Sequence, residues 1–289
     1  MENLPALSAY PFQMSVPTRF TDVDATSAIG YIGLSRYHED ARVAFIRDVI
    51  KRHGSGSRQW RAFLGRTSME VFDSAHYPKP ISLGVGIFGV SERSYGIEVG
   101  AFQDGARLTR ARSLSVVIDQ SRRATRVTDE SRRILASALL PGEQWSFGAK
   151  PETVQNPERY AHRLQWPTRF SDTDAMGHLN NVALIRYCEE ARLVFLRSAL
   201  SDDCAPCTSV ERLDISYLRE GRFMDDLMIG TTIQGTDGPR VHLSQALFQQ
   251  GSCVAMCNSE IRLPVDIAQR LAGGPALSAD CKLATNSRA

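Results

Sequence analysis

The sequence lacks long apolar runs, a charge excess and a signal peptide, and each absence excludes a class of protein. No run approaches the roughly 18 consecutive apolar residues that a membrane-spanning helix requires. Lys and Arg total 34 and Asp and Glu total 32, so the net charge of +2 gives no support for a nucleic-acid or membrane-surface protein. The N-terminus has no basic start followed by a long apolar stretch, and we therefore expect a cytoplasmic protein.

Cysteine is scarce as well, with six residues among 289, far below the density of a disulfide scaffold. Cys204 and Cys207 have the CxxC spacing of a redox or zinc site. No second CxxC follows, and no closely spaced His pair completes a zinc set. We therefore interpret the cysteines as reduced structural thiols.

The chain repeats itself with an offset of 150 residues. Residues 17–47 align without a gap to residues 167–197, and fifteen of these 31 positions are identical. The identical positions include Arg19/Arg169, Asp22/Asp172, Asp24/Asp174, Tyr37/Tyr187, Glu39/Glu189 and Arg42/Arg192. Such agreement indicates a duplicated domain. The predicted boundaries are a first domain at 1–140, a linker at 141–160, a second domain at 161–272 and a flexible tail at 273–289.

Each copy has one helix followed by short strands. In the second copy, apolar residues recur at helical spacing from Leu184 to Phe195. Partly alternating runs typical of antiparallel strands follow at 213–217, 227–233, 241–248 and 253–263, and in the first copy at 81–90, 95–102 and 114–118. This order predicts an α+β fold in which each antiparallel sheet wraps around a central helix. We expect the two copies to pair as a pseudo-dimer within the chain.

A cluster of polar residues lies at the start of the second predicted helix: Arg169, Asp172, Asp174, Gly177, His178, Asn180 and Asn181. A helix start presents unpaired backbone N–H groups and the positive end of the helix dipole, which can stabilise an oxyanion on a carbonyl. An Asp beside it can attack the carbonyl carbon or deprotonate water, and Gly lets the backbone approach a ligand closely. Asp and Asn are also the preferred N-caps, so the motif taken alone fits a capped turn as well.

The segment TRFSDTDAMGHLNNVALIRYCEEAR resembles the signature of hotdog-fold acyl-CoA thioesterases of the 4-hydroxybenzoyl-CoA thioesterase type. It is also similar to the catalytic half of plant acyl-ACP thioesterases, which are double hotdogs. The resemblance implies two tandem hotdog domains and a thioester hydrolase with no metal and no cofactor. It assigns the catalytic carboxylate to Asp174, as nucleophile or general base, and the oxyanion donor to the backbone N–H near Asn181. It assigns the shaping of the site to His178 and Asn180. Gly177 and Arg169 are our candidates for substrate binding.

The two copies differ at the motif. The first copy keeps Asp24, but Ser27, Ala28, Gly30 and Tyr31 replace the Gly, His and two Asn of the second. We therefore expect the second copy to hold the working site, while Asp24 serves a weaker second site or a facing wall. Tyr31 is a candidate substrate-binding residue, because its backbone donor and aromatic ring lie at the helix start. In the plant-type enzymes an Asn follows two residues after the Asp, where this chain has Met176.

The sequence thus predicts hydrolysis of an acyl thioester, with acyl-CoA as the first expectation. An acyl-ACP thioesterase is the alternative within the same fold, and a non-catalytic module that binds or senses acyl-CoA is the alternative of another class. The arginine-rich segment 110–133 offers charge for CoA phosphates or an acidic carrier protein, although a solvated basic face fits it equally. Glu211 is a weaker catalytic candidate. Exposed sheet edges are compatible with a homodimer of double-hotdog chains.

Overall fold

A computed structural model describes residues 4–53, 61–142, 156–160, 162–200, 209–273 and 279–281. The chain divides into two compact units, Met1–Ala149 and Lys150–Ala289. The Cys204-x-x-Cys207 motif and most of the predicted linker lie outside the described residues. Among the helices that are described, none is both long and apolar enough to cross a membrane.

The N-terminal unit is a five-stranded antiparallel sheet packed on one long helix. Its elements are β1 (Phe12–Val16), α1 (Tyr31–His53), β2 (Ala62–Val71), β3 (Ile81–Val90), β4 (Ser94–Gln103), β5 (Ala106–Val117) and α2 (Asp129–Ala136). The strand order is β1-β3-β4-β5-β2. Side chains of α1 such as Leu34, Tyr37 and Phe45 are buried against the inward faces of β3 and β4. Each fully buried apolar side chain of this kind contributes roughly 1.5–3 kcal/mol to folding.

The C-terminal unit repeats this plan. Its elements are β6 (His162–Trp166), α3 (Asn181–Leu200), β7 (Ser209–Tyr217), β8 (Leu227–Asp237), β9 (Arg240–Gln249), β10 (Ser252–Arg262), α4 (Val265–Gly273) and β11 (Ala279–Cys281). The strand order is β7-β10-β9-β8-β6-β11, antiparallel except that β11 runs parallel to β6. Tyr187, Ala191 and Phe195 of α3 are buried, as the helical spacing predicts. The prediction of an α+β fold with one central helix per copy is therefore confirmed.

Several elements differ from their predicted bounds. β3 coincides with the predicted run, whereas β2 and α4 were not predicted. β2 carries polar and apolar residues without alternation, since it contains Gly65, Arg66 and Thr67 in sequence. α2 begins at Asp129 because Thr128 caps it, accepting from the backbone N–H of Ser131 (3.1 Å). In the predicted tail, Ala279–Cys281 forms β11.

In each unit a buried glutamine holds the loop that precedes the third strand, β3 or β8, through three hydrogen bonds. Gln103 accepts from the backbone N–H of His76 (2.9 Å) and donates to the carbonyls of His76 and Lys79. Gln249 accepts from the backbone N–H of Arg222 (2.8 Å) and donates to the carbonyls of Arg222 and Asp225. In the C-terminal unit this loop lies beside the polar motif, because Leu179 donates its backbone N–H to the carbonyl of Gly221 (2.9 Å).

Candidate functional site

The first Asp of the Asp-x-Asp pair is a buried anchor. Asp172 accepts from Arg186 (2.5 Å) and from the hydroxyl of Tyr187, and its backbone carbonyl accepts from the N–H of Asn180 (2.8 Å). Burial favours a raised pKa for Asp172, but the hydrogen bonds from Tyr187 and Arg186 and the charges of Arg186 and Arg169 outweigh it, so the pKa is lowered. Asp172 therefore ties the motif to α3 as a carboxylate.

The second Asp is presented by a tight turn. Asp174 Oδ1 accepts from the backbone N–H groups of Met176 (2.8 Å) and His178 (3.1 Å), and the Asp174 N–H donates to the carbonyl of His178 (2.8 Å). Gly177 closes the turn with φ +79°, a conformation that a side chain disfavours. Asp174 is half-buried, and among the described residues no group donates to its Oδ2. One carboxylate oxygen is thus fixed, while the other remains accessible for chemistry.

The helix start follows directly. Asn180 is the N-cap of α3, because its Oδ1 accepts from the backbone N–H of Val182 (2.7 Å). α3 begins at Asn181, which is half-buried. The positive end of the helix dipole therefore lies within a few residues of the Asp174 carboxylate along the chain, as the motif predicts. The N-terminus of an α-helix, with the positive end of its dipole, is the kind of place where an oxyanion can be stabilised.

The ring of His178 faces the carboxylate of Glu220, which lies outside the polar motif. His178 Nε2 lies 3.1 Å from Glu220 Oε2, and the two side chains are 19% and 33% exposed. The backbone of His178 also bridges to Arg222. The hydrogen bonds of Leu179 and His178 to this loop bring Glu220 to the motif. Nothing in the local sequence signals the pairing, since it depends on the fold of residues 218–226.

The sequence also offered Arg169 and Glu211 as candidate residues. The Arg169 side chain is exposed, its charge lowers the pKa of Asp172, and its backbone N–H donates to the Tyr187 hydroxyl. Glu211 pairs with Arg240 (2.7 Å) and Arg262 (2.5 Å) on the sheet, so it is engaged in a surface ion-pair network. This network accounts for Glu211 without a catalytic role.

The N-terminal unit has the same contacts around the first Asp, but different ones around the second. Asp22 accepts from Arg36 (2.6 Å) and from the hydroxyl of Tyr37 (2.7 Å), the same contacts that Asp172 makes. Asp24, however, is exposed, and its Oδ1 accepts from both the backbone N–H (2.8 Å) and the hydroxyl (2.5 Å) of Thr26. The turn is therefore present in both units, but the carboxylate of Asp24 accepts different hydrogen bonds from that of Asp174.

The first residues of α1 explain this change. Gly30 stands at the N-cap position, and a Cβ there would lie 2.1 Å from Asp24 Oδ2. The Asp24 carboxylate thus occupies the space that the Asn180 side chain takes in the other unit. Ser27 replaces Gly177 and adopts φ +64° despite its side chain. Tyr31 begins α1 and is 7% exposed, so its ring is part of the packing at the helix start.

Around the C-terminal motif, large apolar side chains are exposed. Phe170 is 76% exposed and stacks edge-on against Phe223 at 5.8 Å, while Met176 and Met224 are 66% and 82% exposed. Met224 donates its backbone N–H to Thr168 (3.1 Å), which joins the two loops. Exposed apolar patches of this kind mark surfaces that meet another molecule. No group of three metal-ligating side chains occurs in the part of the chain that the structure describes.

Comparison with known proteins agrees with this fold. Residues 168–275 match the family model described as "Thioesterase-like superfamily". The 12:0-ACP thioesterase from Umbellularia californica superposes with TM-score 0.72 at 18% identity, covering 87% of this chain and 97% of that one. An acyl-ACP thioesterase from Bacteroides thetaiotaomicron gives TM-score 0.68 at 15% identity, covering 87% and 97%.

A putative oleoyl thioesterase from Lactobacillus plantarum gives TM-score 0.71 at 13% identity, covering 88% of this chain and 96% of that one. No curated protein sequence matches this chain. The superpositions cover both units and confirm the predicted tandem hotdog architecture, while the family match covers the unit with the complete motif. The chain therefore has a double-hotdog fold, and its residues 168–275 match the model of the thioesterase-like superfamily.

Proposed function

We propose that this protein hydrolyses acyl thioesters with Asp174 as the catalytic carboxylate. The observation that carries the proposal is the fixed orientation of Asp174 beside a helix start. Two backbone N–H groups hold one carboxylate oxygen, and α3 begins seven residues later at Asn181. A carboxylate in this setting either attacks the thioester carbonyl or deprotonates the water that does so. The backbone N–H of Asn181 stabilises the oxyanion.

His178 and Glu220 form the second part of the proposed machinery. Because Glu220 Oε2 lies 3.1 Å from His178 Nε2, the carboxylate favours a proton on Nε2 and fixes the ring orientation. The Nδ1 atom is then available to exchange a proton with water or with the departing thiol. Asn180 shapes the turn as N-cap, and Gly177 gives it the required backbone conformation. Arg169 supports the site through its charge next to Asp172.

Acyl carrier protein is the thioester carrier that we propose, with acyl-CoA as the competing substrate. Two of the similar full-length structures are named as ACP thioesterases. The exposed Phe170, Phe223, Met176 and Met224 on the loops of the motif also suit a protein surface, because apolar patches at interfaces exclude water. The proposed role of the N-terminal copy is non-catalytic, since Asp24 is bound to Thr26 and no His or Asn accompanies it.

The substrate assignment is tested by comparing octanoyl-ACP and octanoyl-CoA at equal concentrations. We expect both to be hydrolysed, with a higher kcat/KM for octanoyl-ACP. Phe170→Ala is expected to lower kcat/KM for the carrier-bound substrate more than for the CoA ester, and Phe20→Ala in the other unit is the matched control. A higher kcat/KM for octanoyl-CoA would restore acyl-CoA as the substrate. Binding of either ester without turnover would identify an acyl-thioester binding module instead.

A further inference from the structure

The two units differ in the connection that follows their fifth common strand. In the N-terminal unit β5 ends at Val117 and α2 begins at Asp129, so residues 118–128 connect them. In the C-terminal unit β10 ends at Arg262 and α4 begins at Val265, so two residues suffice. α2 packs on β3 and α4 packs on β8, the corresponding strands, which makes the two connections equivalent. The N-terminal unit therefore carries about nine additional residues at this point, which we call the connector (residues 118–128).

The connector is an ordered loop. Ile118 bridges to Ala124, and Asp119 Oδ1 accepts from the backbone N–H of Arg123 (3.0 Å). Thr125 donates its backbone N–H to the carbonyl of Val117 (2.9 Å), and Val127 donates to that of Glu92 (2.8 Å). These hydrogen bonds tie the connector to β5 and to the turn between β3 and β4. Its conformation is thus specified along its length.

The connector encloses a cavity of about 240 Å³ together with β4, β5 and α2. The inner wall is apolar, formed by the ring of Tyr95 and the side chains of Val117, Val127 and Leu135. Tyr95 and Leu135 are 3% and 1% exposed, so the floor belongs to the core of the unit. Apolar walls favour a hydrocarbon body over water, and the volume limits that body to a small one.

The mouth of the cavity is polar. Gln120 and Thr125 line it, and neither side chain makes a hydrogen bond to any of the described residues. Arg126 also lines it and is 79% exposed in its ion pair with Glu92 (2.8 Å). Asp119 is the acidic lining residue, and its Oδ1 is occupied by the Arg123 N–H. An amide, a hydroxyl and a guanidinium at one rim can hold an anionic oxygen group.

We propose that this cavity is a binding site for a small unesterified carboxylic acid, with its hydrocarbon body against Tyr95 and its carboxylate at Arg126. The corresponding connection in the other unit has only two residues, so it offers no equivalent loop. The proposal does not rest on hydrolysis at Asp174, because binding is measured without turnover. A free acid is also the class of compound that thioester hydrolysis releases, so this site would let the protein respond to its own product.

The test is titration calorimetry of the full chain with octanoate, and with octanol as the uncharged probe of equal length. We expect octanoate to bind the wild type with one site, and Thr125→Phe to weaken it at least about tenfold by filling the mouth. Gln120→Trp, at an exposed position that tolerates a large side chain, is the second blocking variant. Ala124→Phe is the matched control, since Ala124 is exposed and does not line the cavity.

Three results would overturn the proposal. They are absence of octanoate binding to the wild type, equal binding by the blocking variants and the wild type, and equal weakening by Ala124→Phe. Arg126→Gln tests the carboxylate end of the ligand alone. We expect it to weaken the binding of octanoate about tenfold and to leave the binding of octanol unchanged. Equal effects on both probes would contradict the assignment of the carboxylate to Arg126. Failure of thioester hydrolysis would leave all of these measurements valid.

Discussion

The hydroxyl of Tyr187 donates a hydrogen bond to Asp172, and this contact joins the loop that carries Asp174 to the middle of α3. The same pair exists as Tyr37 and Asp22 in the N-terminal unit, at 2.7 Å. Because Asp172 also accepts from Arg186 and holds Asn180 through its carbonyl, it fixes the turn and the helix start relative to each other. The duplication indicates that this anchor is a property of the fold, separate from the residues that we propose as catalytic.

Removal of the Tyr187 hydroxyl tests the anchor. Tyr187→Phe is expected to lower the free energy of unfolding by about 1.5–3 kcal/mol, because a buried hydrogen bond to a charged group is lost. It is also expected to lower kcat, since the turn holding Asp174 loosens. Tyr37→Phe should cost a similar free energy, measured by urea unfolding, and leave kcat unchanged. An equal fall in kcat for both variants would contradict the separation of anchor and site.

The charge of Asp172 gives a pH dependence to stability. Its pKa is lowered in the folded protein, so the unfolded chain takes up a proton at higher pH than the folded one. The stabilisation is therefore present above about pH 4, the ordinary range of an Asp, and is lost as pH falls through the folded pKa. Asp172→Asn should unfold more easily at pH 7 and show a weaker decline below about pH 4. An unchanged slope in urea titrations across that range would exclude this contribution.

A buried histidine adds a second pH dependence in the N-terminal unit. His38 is fully buried beside Thr109 at 2.8 Å, and burial lowers its pKa to about 3. The unfolded chain binds a proton near pH 6.5 while the folded chain does not. The free energy of unfolding is therefore at its full value above about pH 6.5 and falls by up to about 1.4 kcal/mol per pH unit below it. His38→Gln should remove this slope between about pH 6 and pH 4. Urea unfolding across that range measures it, and a slope equal to that of the wild type would contradict the neutral buried histidine.

Gly177 and Ser27 occupy the same turn position in the two units, and we expect substitutions at the two positions to change stability in opposite directions. Ser27 has φ +64° and Gly177 has φ +79°, and a side chain in that region costs roughly 1–2 kcal/mol. Ser27→Gly should therefore raise the free energy of unfolding by up to about 1 kcal/mol without changing kcat. Gly177→Ala should lower it by about 1–2 kcal/mol, and kcat should fall because the Asp174 turn shifts. The space around Gly177 is open, so this loss would come from the backbone alone.

The contact between His178 and Glu220 predicts a kinetic signature. His178→Ala should reduce kcat by about 10²–10⁴-fold if the ring transfers a proton. Glu220→Gln keeps a hydrogen-bonding group but removes the charge, and should lower kcat less than His178→Ala does. Glu211→Gln, in a surface ion-pair network, is the control. A kcat for Glu220→Gln equal to that of the wild type would exclude the positioning role.

The repeated helices and most strands could be predicted because their signals are local. The apolar spacing around Tyr187 and Phe195 defines α3, and the alternation from Ile81 to Val90 defines β3. β2 gave no alternation to detect, because it mixes Gly, Arg and Thr in its centre. The motif at Asp174 was also local, since all of its members lie within one turn and one helix start.

The residues missed in the site depend on long-range contacts. Glu220 meets His178 only because the loop after β7 returns to the turn, and Gln249 holds that loop from a third strand. No periodic pattern in the sequence predicts such a long-range contact. The different bonding of Asp24 was also hidden, because it arises from the missing side chain at Gly30. The local sequence therefore identifies the candidate catalytic carboxylate, and the fold identifies its partners.

The most direct measurement is the release of free thiol from octanoyl-ACP by wild type, Asp174→Asn and Asp24→Asn in parallel. Our account predicts that Asp174→Asn lowers kcat by at least about 10²-fold, the effect of losing a catalytic acid–base group, while its thermal stability stays close to that of the wild type. Asp24→Asn should retain the wild-type kcat. Full activity in Asp174→Asn, or loss of activity in Asp24→Asn alone, would contradict the assignment of the working site to the C-terminal unit.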